Sequence, residues 1–158
     1  MILGIDPGLS KVGWAAVNED GGLLRAGVFQ AFDAERFFEV WRKPFDEWEQ
    51  NLACWTLERI EDIIHVSPNA SALSVALGNG TGSAAIADLC RRVGFCFKLT
   101  DEKMTTIEAR SLYWKIHRPL WWQRFLPVSL RVPPRSLDDF AAWVIARRFI
   151  SACSIQNM

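Results

Sequence analysis

The chain has 158 residues, of which 50% are hydrophobic and 23% charged, and its 18 Lys and Arg balance 18 Asp and Glu. This length and composition predict one domain with a sizeable core and exclude a disordered protein, a disulfide-stapled module and a two-domain enzyme. The charge is uneven: residues 1–79 carry 6 Lys and Arg against 12 Asp and Glu, whereas residues 80–158 carry 12 against 6. The asymmetry indicates either a polyanion-binding surface or ordinary clustering of surface charge.

The N-terminus and the cysteines favour a soluble cytoplasmic protein. No basic segment precedes Asp6, as a signal peptide would require, and no apolar run is long enough to span a bilayer. The four cysteines form no C-x-x-C pair and only two histidines accompany them, so we expect reduced thiols and no structural zinc. No membrane partner is expected.

Hydrophobic periodicity predicts five strands, in the element order βββαβαβα. The predicted strands are residues 2–5, 12–17, 23–32, 73–77 and 95–100. Right-handed crossovers place the first, fourth and fifth strands side by side and parallel, and the antiparallel meander of the first three extends one edge. We therefore predict a single-domain α/β fold with a five-stranded mixed sheet, helices on both faces and a ligand site at the C-terminal ends of the central strands.

The helical segments carry recognisable start and stop signals. A helical pattern covers residues 34–64 with a break at Pro44, and Gly94 is a predicted C-cap of the next helix. Two capping boxes are predicted to open the last two helices, namely Thr105-x-x-Glu108 and Ser136-x-x-Asp139. Residues 118–135 are predicted to form a long loop. Residues 80–83 (GTGS) are similar to an anion-binding turn but lack the lysine of a P-loop.

Acidic residues occur where the chain leaves predicted elements. Asp6 ends the first strand, Asp101 and Glu102 follow the fifth, and Asp138 and Asp139 lie in the first turn of the last helix. Converging carboxylates without histidine or cysteine suit Mg²⁺ or Mn²⁺, and a pair of such ions can promote phosphodiester hydrolysis. The alternatives are a turn-forming role for Asp6, a solvated loop acid at 101 or 102, and a capping role for Asp139.

Basic and aromatic residues follow the second acidic position. Arg110, Trp114 and His117 share the helix face opposite the predicted core stripe. Cations bind phosphates and aromatic rings stack on unpaired bases, so this composition fits a single-strand or junction binder. For Trp121 and Trp122 the favoured alternative is that they pack the loop down as a small satellite core.

Three segments resemble one nuclease family. Residues 2–8 (ILGIDPG) and 12–15 (VGWA) resemble the opening of the RuvC-type Holliday-junction resolvases. Residues 101–106 (DEKMTT) and 108–110 (EAR) are similar to the D-E-x-x-T-T…E-A-R segment of the related YqgF family, and residues 138–142 (DDFAA) match the final-helix motif D-x-x-A-A. The segments occur in the family's order and span nearly the whole chain.

The resemblance implies an RNase H-like fold with a metal-dependent nuclease centre. By position, Asp6, Glu102 and Asp138 would be catalytic and would bind a pair of Mg²⁺ or Mn²⁺ ions. The chain departs from the RuvC branch at residues 77–80 (LGNG), where a catalytic glutamate is expected, and at Arg135, where a second aspartate is expected. It is therefore more similar to the YqgF branch, whose members are linked to maturation of the 16S rRNA 5′ end. Junction resolution is the older inference for that branch.

The leading hypothesis is a cytoplasmic nuclease, monomeric or homodimeric, acting on structured or single-stranded nucleic acid, with RNA favoured over Holliday-junction DNA. The alternative is a nucleic-acid-binding protein that kept the fold and lost efficient catalysis. An actin-like ATPase or sugar kinase, suggested by residues 4–8 (GIDPG), is rejected because those enzymes need two such domains. The candidate nucleic-acid-binding residues are Lys11, Thr105, Thr106, Arg110, Trp114, Lys115, Arg118, Arg124 and Arg135. The two threonines among them are assigned by the resemblance.

Overall fold

The computed structural model describes residues 1–60, 73–119, 121–127 and 130–156, and within them it forms one mixed sheet flanked by helices. The strands are β1 (Ile2–Pro7), β2 (Lys11–Val17), β3 (Leu23–Gln30), β4 (Thr56–Arg59), β5 (Ser74–Gly78) and β6 (Phe97–Thr100). The α-helices are α1 (Ala34–Val40), α2 (Trp48–Leu52), α3 (Ser83–Val93), α4 (Thr105–Ile116) and α5 (Asp138–Gln156). The segment predicted as a long loop contains a 3₁₀ helix, Trp121–Phe125.

The strand order is β4-β3-β2-β1-β5-β6. The first four strands pair antiparallel, whereas β1, β5 and β6 pair parallel. This confirms the predicted meander and the predicted parallel set. Alternation along β1 sends Leu3 and Ile5 into one core and Ile2 into the other, which places Asp6 on the same face as Ile2.

Helices cover both faces of the sheet, as predicted. The core on one face is formed with α1, α2 and α3, and the core on the other face with α4 and α5. Within the described ranges, none of these helices has both the length and the apolar character required to cross a membrane. The C-terminal end of α3 agrees with the sequence prediction, because Gly94 adopts a left-handed conformation (φ +82°) and ends the helix.

The sheet has a sixth strand, β4, where the apolar spacing predicted helix, so the prediction of five strands is wrong. Leu57 and Ile60, which belonged to the predicted helical stripe, are exposed, whereas Thr56 and Glu58 are half-buried. The inward positions of this edge strand are polar and are satisfied by partners from other elements, as when Arg25 Nε donates to Thr56 Oγ1 at 2.7 Å. A strand whose inward face is polar gives no period-2 hydrophobic signal.

The rest of the predicted helical segment is divided. The break expected at Pro44 is confirmed, because α1 ends at Val40 and α2 begins at Trp48. The first predicted stripe is buried through Trp48, Leu52 and Trp55. The predicted helix end at residue 64 lies outside the described residues.

Neither capping box is present. Met104 precedes α4 in a left-handed conformation (φ 63°) without a side-chain cap, and Glu108 accepts a hydrogen bond from Arg148 instead. Helix α5 begins at Asp138, so Ser136 lies too early to be its N-cap, and Asp139 binds Arg135. Both acids at the predicted N3 positions therefore form ion pairs: Glu108 with Arg148 of α5, and Asp139 with Arg135, four residues before it.

Helix α5 lies directly on β1 and β2 because the strands carry glycine at the points of contact. A Cβ on Gly4 would overlap the carbonyl oxygen of Ala142, and a Cβ on Gly13 would overlap that of Asp138. Gly13 is also the cross-strand partner of Asp6. The missing side chain at Gly13 therefore brings the first residue of α5 next to the acid on β1.

Candidate metal and nucleic-acid site

One cavity of about 530 Å³ gathers the three acids that the sequence assigned to catalysis. Asp6 enters it from β1, Glu102 from the loop after β6, and Asp138 from the first turn of α5. Four predicted nucleic-acid-binding residues also line it: Thr105, Thr106, Arg110 and Arg135. The structure therefore brings these three elements together at the C-terminal edge of β1, where the sheet topology places a ligand site.

Asp6 has the most perturbed carboxylate of this cavity. Burial, and then the negative charges of Glu102 and Asp138, raise the pKa of Asp6 to about 7. All three influences oppose its ionisation. Carboxylates collected in this way are typical of sites that bind a cation or exchange a proton.

Glu102 reaches the cavity because two glycines leave room for it. A Cβ at Gly78 or at Gly80 would overlap the Glu102 carboxylate. The Glu102 backbone N–H also donates to Asn79 Oδ1 at 3.2 Å. Burial raises the pKa of Glu102, although a backbone hydrogen bond from Gly80 acts in the opposite direction. The Oε1 atom of Glu102 is buried without a hydrogen-bond partner among the described residues.

Two backbone amides of the glycine-rich loop after β5, which was likened to an anion-binding turn, are bound within the protein. The N–H of Gly82 donates to the Pro7 carbonyl at 3.2 Å and that of Ser83 to the Gly80 carbonyl at 3.0 Å. These two amides are already satisfied within the protein. Gly80 of this loop, with Gly78 at the end of β5, leaves the space that Glu102 occupies, which residue spacing alone does not reveal.

Arg148, on the C-terminal half of α5, holds the segment that carries Glu102. Its guanidinium donates to the carbonyl oxygens of Asp101 and Lys103 at 2.7 Å each, and to Glu108 Oε1 at 2.6 Å. These contacts clamp the backbone on both sides of Glu102. Helix α5 therefore positions two of the acids, Asp138 directly and Glu102 through Arg148.

Arg135 belongs to an ion-pair network beside the acids. It donates to both carboxylate oxygens of Asp139 at 2.8 Å and to Glu58 Oε1 at 2.7 Å, and His117 Nε2 lies 3.0 Å from the same Glu58 oxygen. Burial opposes the charge of Arg135, but hydrogen bonds to Asp139 and Glu58 outweigh it and raise the pKa of Arg135. The charge of Arg135 is thus balanced within the protein. Arg135 was predicted to bind phosphates, but in the structure it stabilises the wall of the cavity.

The remaining predicted nucleic-acid-binding residues do not line this cavity. Lys11 is exposed at the start of β2, and Lys115 lines a separate cavity with Glu108 and Arg147. Trp114 and Arg118 line an adjoining aromatic cavity, and Arg124 is exposed on the 3₁₀ helix. Sequence reasoning did not identify Glu58, Gly78 or Arg148, whose roles depend on contacts between distant segments.

The donor chemistry fits a hard divalent cation. The acids offer only oxygen ligands, Glu102 Oε1 is an unsatisfied buried acceptor, and the ionised form of Asp6 is disfavoured by burial and by the neighbouring acids. With their present side-chain positions, however, no three His, Cys, Asp or Glu residues in the described ranges form a group that could hold a metal ion. The site therefore has the ligand types for Mg²⁺ or Mn²⁺ but not a closed ligand set.

Comparison with known proteins adds no assignment. No protein-family model matches the chain, and no curated protein matches it significantly. The function must therefore be derived from the chemistry of the cavity.

Proposed function

We propose that this protein is an RNase H-like, metal-dependent nuclease of the RuvC/YqgF type, which hydrolyses phosphodiester bonds in RNA or in branched DNA. The observation that carries the proposal is the convergence of Asp6, Glu102 and Asp138 in one cavity, where burial, and then the charges of the other two acids, raise the pKa of Asp6 to about 7. A structural role does not require three acids from three separate elements to meet.

The sheet supports the proposal independently of the acids. An antiparallel meander of β1, β2 and β3 continues through β1 into the parallel strands β5 and β6, and α5 crosses β1 and β2. This arrangement agrees with the fold that the family resemblance implied. It also explains why the acids meet, since they come from the central strand, from the loop after a parallel strand and from the helix that covers them.

Asp6 and Asp138 are proposed to hold the cation, and the Glu102 carboxylate either completes the ligand set or accepts a hydrogen bond from the attacking water. When bound, a divalent cation would stabilise the charge of the phosphate and lower the pKa of a water molecule. The protein's own contribution is to hold two carboxylates on rigid elements and to present a buried, unsatisfied acceptor beside them.

The part of the cavity wall that belongs to α4 is proposed to hold the substrate backbone. Thr106 is exposed and Arg110 half-buried in the wall formed by the start of α4. Hydroxyl and guanidinium groups are the usual partners of phosphate oxygens. Arg135 is assigned a bracing role here, because Glu58 and Asp139 already bind its guanidinium.

A second candidate function is favoured by one observation. Since no described group of three acids could hold a metal as it stands, the protein could be a nucleic-acid-binding protein with little catalysis. Such a protein would bind the same ligands with strong salt dependence and would not cleave them.

The two functions are separated by a cleavage panel. Purified protein is incubated with end-labelled single-stranded RNA, single-stranded DNA, duplex DNA and a four-way junction, each with Mn²⁺, Mg²⁺ or EDTA. We expect cleavage of at least one substrate with unpaired segments in Mn²⁺ or Mg²⁺ and none in EDTA. Binding of these substrates without cleavage in either metal would overturn the nuclease assignment and support the second function.

A further inference from the structure

We propose that an exposed aromatic surface beside the cavity binds unpaired nucleobases of the strand whose backbone enters the acidic site. This surface, here called the aromatic shelf, consists of Trp121, Trp122 and Phe125 on the 3₁₀ helix between α4 and α5. The inference rests on the proposed function, since it adds a substrate class, single-stranded nucleic acid, to the same site.

The shelf rings are exposed to an unusual degree. Trp121 is 77% exposed, Trp122 49% and Phe125 84%, so the tryptophans do not pack the loop down as the sequence led us to favour. Large adjacent aromatic side chains are costly to leave in water, and such patches commonly mark a binding surface. Three rings within five residues offer π-faces for stacking.

The backbone under the shelf is organised by hydrogen bonds. Arg131 donates to the carbonyl oxygens of Leu126 at 2.9 Å and Arg124 at 3.3 Å, and the Trp114 indole N–H donates to the Arg131 carbonyl at 3.3 Å. The guanidinium of Arg131 thus closes the turn, and Trp114 ties that turn to α4. A pre-arranged turn lowers the entropic cost of presenting its rings to a ligand.

The charge around the shelf complements a polyanion. Between Glu108 and Asp138 the chain has no acidic residue and carries six cations. Of these, Arg118 and Arg124 are exposed on either side of the shelf tryptophans in sequence. Aromatic rings interleaved with arginines are the composition of surfaces that bind single strands without sequence preference.

The shelf segment is continuous with the acidic cavity. Val132 lines the acidic cavity and also an adjoining cavity of about 340 Å³, whose wall includes Tyr113, Trp114 and His117. Gln123, in the middle of the shelf helix, lines that second cavity as well. A nucleic-acid strand whose phosphate lies at the acids can therefore extend past Val132 to the adjoining aromatic cavity.

The test is a binding measurement that needs no catalysis. An Asp6→Asn background in EDTA prevents cleavage, and fluorescence anisotropy follows a labelled oligouridylate of about 15 nucleotides and an RNA duplex of the same length. Adding Trp121→Ala and Phe125→Ala is expected to weaken single-strand binding by about 10-fold or more, and duplex binding by less than about threefold. Trp121→Phe, which keeps a ring, is expected to retain most of the single-strand affinity.

Phe32→Ala is the matched control. Phe32 is 85% exposed, as Phe125 is at 84%, but it lies in a 3₁₀ turn after β3 and outside the acidic cavity. Its loss should leave both affinities unchanged.

Three outcomes would overturn the inference: unchanged single-strand affinity in the shelf variant, an equal loss for the duplex, or a change in solution mass with single-strand affinity intact, which would assign the shelf to self-association. Failure of the nuclease proposal is distinguishable from failure of this inference. In that case the unmodified protein would not cleave the substrates, whereas the binding measurement in EDTA would be unaffected.

Discussion

Asp6→Asn is expected to slow metal-dependent cleavage by orders of magnitude and at the same time to stabilise the metal-free protein at about pH 8. Loss of a metal-binding carboxylate removes several kcal/mol of transition-state stabilisation, so the cleavage rate should fall on the order of 10³-fold. Opposite effects on activity and stability are expected only where an acid is retained for function at a cost to the fold.

The sign of the stability effect follows from the pKa of Asp6, which rises from 3.8 to about 7 on folding. Because the folded state holds the proton more tightly, the stability due to this group is full below about pH 4 and is lost as the pH rises through about 7. The shift corresponds to at most ~4 kcal/mol, and partial exposure to solvent reduces this to about 1–3 kcal/mol. Asparagine does not titrate and avoids the loss.

Thermal unfolding in EDTA between about pH 4 and about pH 8 measures the difference. The unfolding midpoint of Asp6→Asn should exceed that of the unmodified protein by about 3–10 °C at the upper pH and converge with it at the lower pH. Asp88→Asn is the control, since Asp88 is an exposed acid on α3 that pairs with Arg91. Cleavage by Asp6→Asn at the rate of the unmodified protein, or a variant less stable at every pH, would contradict the assignment.

Asp138→Asn and Asp139→Asn, at adjacent positions of α5, are expected to have opposite consequences. Asp138 faces the acidic cavity, so its change should remove cleavage and leave the free energy of unfolding unchanged or higher. Asp139 is fully buried and binds Arg135 through both carboxylate oxygens, so its change should cost about 2–3 kcal/mol. Glu58 still pairs with Arg135, which keeps the cost below that of an isolated buried charge.

Chemical denaturation of the two variants and of the unmodified protein, in EDTA, gives the free energies directly. Asp139→Asn should lower the midpoint of thermal unfolding by about 5–10 °C as well. Equal destabilisation by the two substitutions would show that both acids serve the fold, and the assignment of Asp138 to the site would then be wrong.

The sequence predicted the centre of the fold better than its edges. The first strand, the meander and the parallel strands carry continuous or alternating apolar residues, and the structure confirms them. Strand β4 could not be recognised, because its inward residues Thr56 and Glu58 are polar and are satisfied by Arg25 and Arg135. Such partners come from distant segments, so periodicity within the segment does not reveal them.

The site shows the same limit. Asp6, Glu102 and Asp138 could be proposed because acids at strand and helix ends converge by topology, and the structure places them in one cavity. Their supports could not be proposed: Gly13 matters because α5 lies on it, and Arg148 because it reaches carbonyl groups of a loop 45 and 47 residues away. The predicted capping role of Asp139 was wrong because a stronger partner, Arg135, competes for its carboxylate.

The most direct test of the metal centre is a calorimetric titration of the protein with Mn²⁺, compared with the same titration of Asp6→Asn. If Asp6 and Asp138 hold a divalent cation, the unmodified protein should give saturable heats of binding, and Asp6→Asn should bind at least about 10-fold more weakly. Saturable binding of equal affinity in both proteins, or no binding in the unmodified protein, would contradict the proposal that these acids form a metal-dependent nuclease centre.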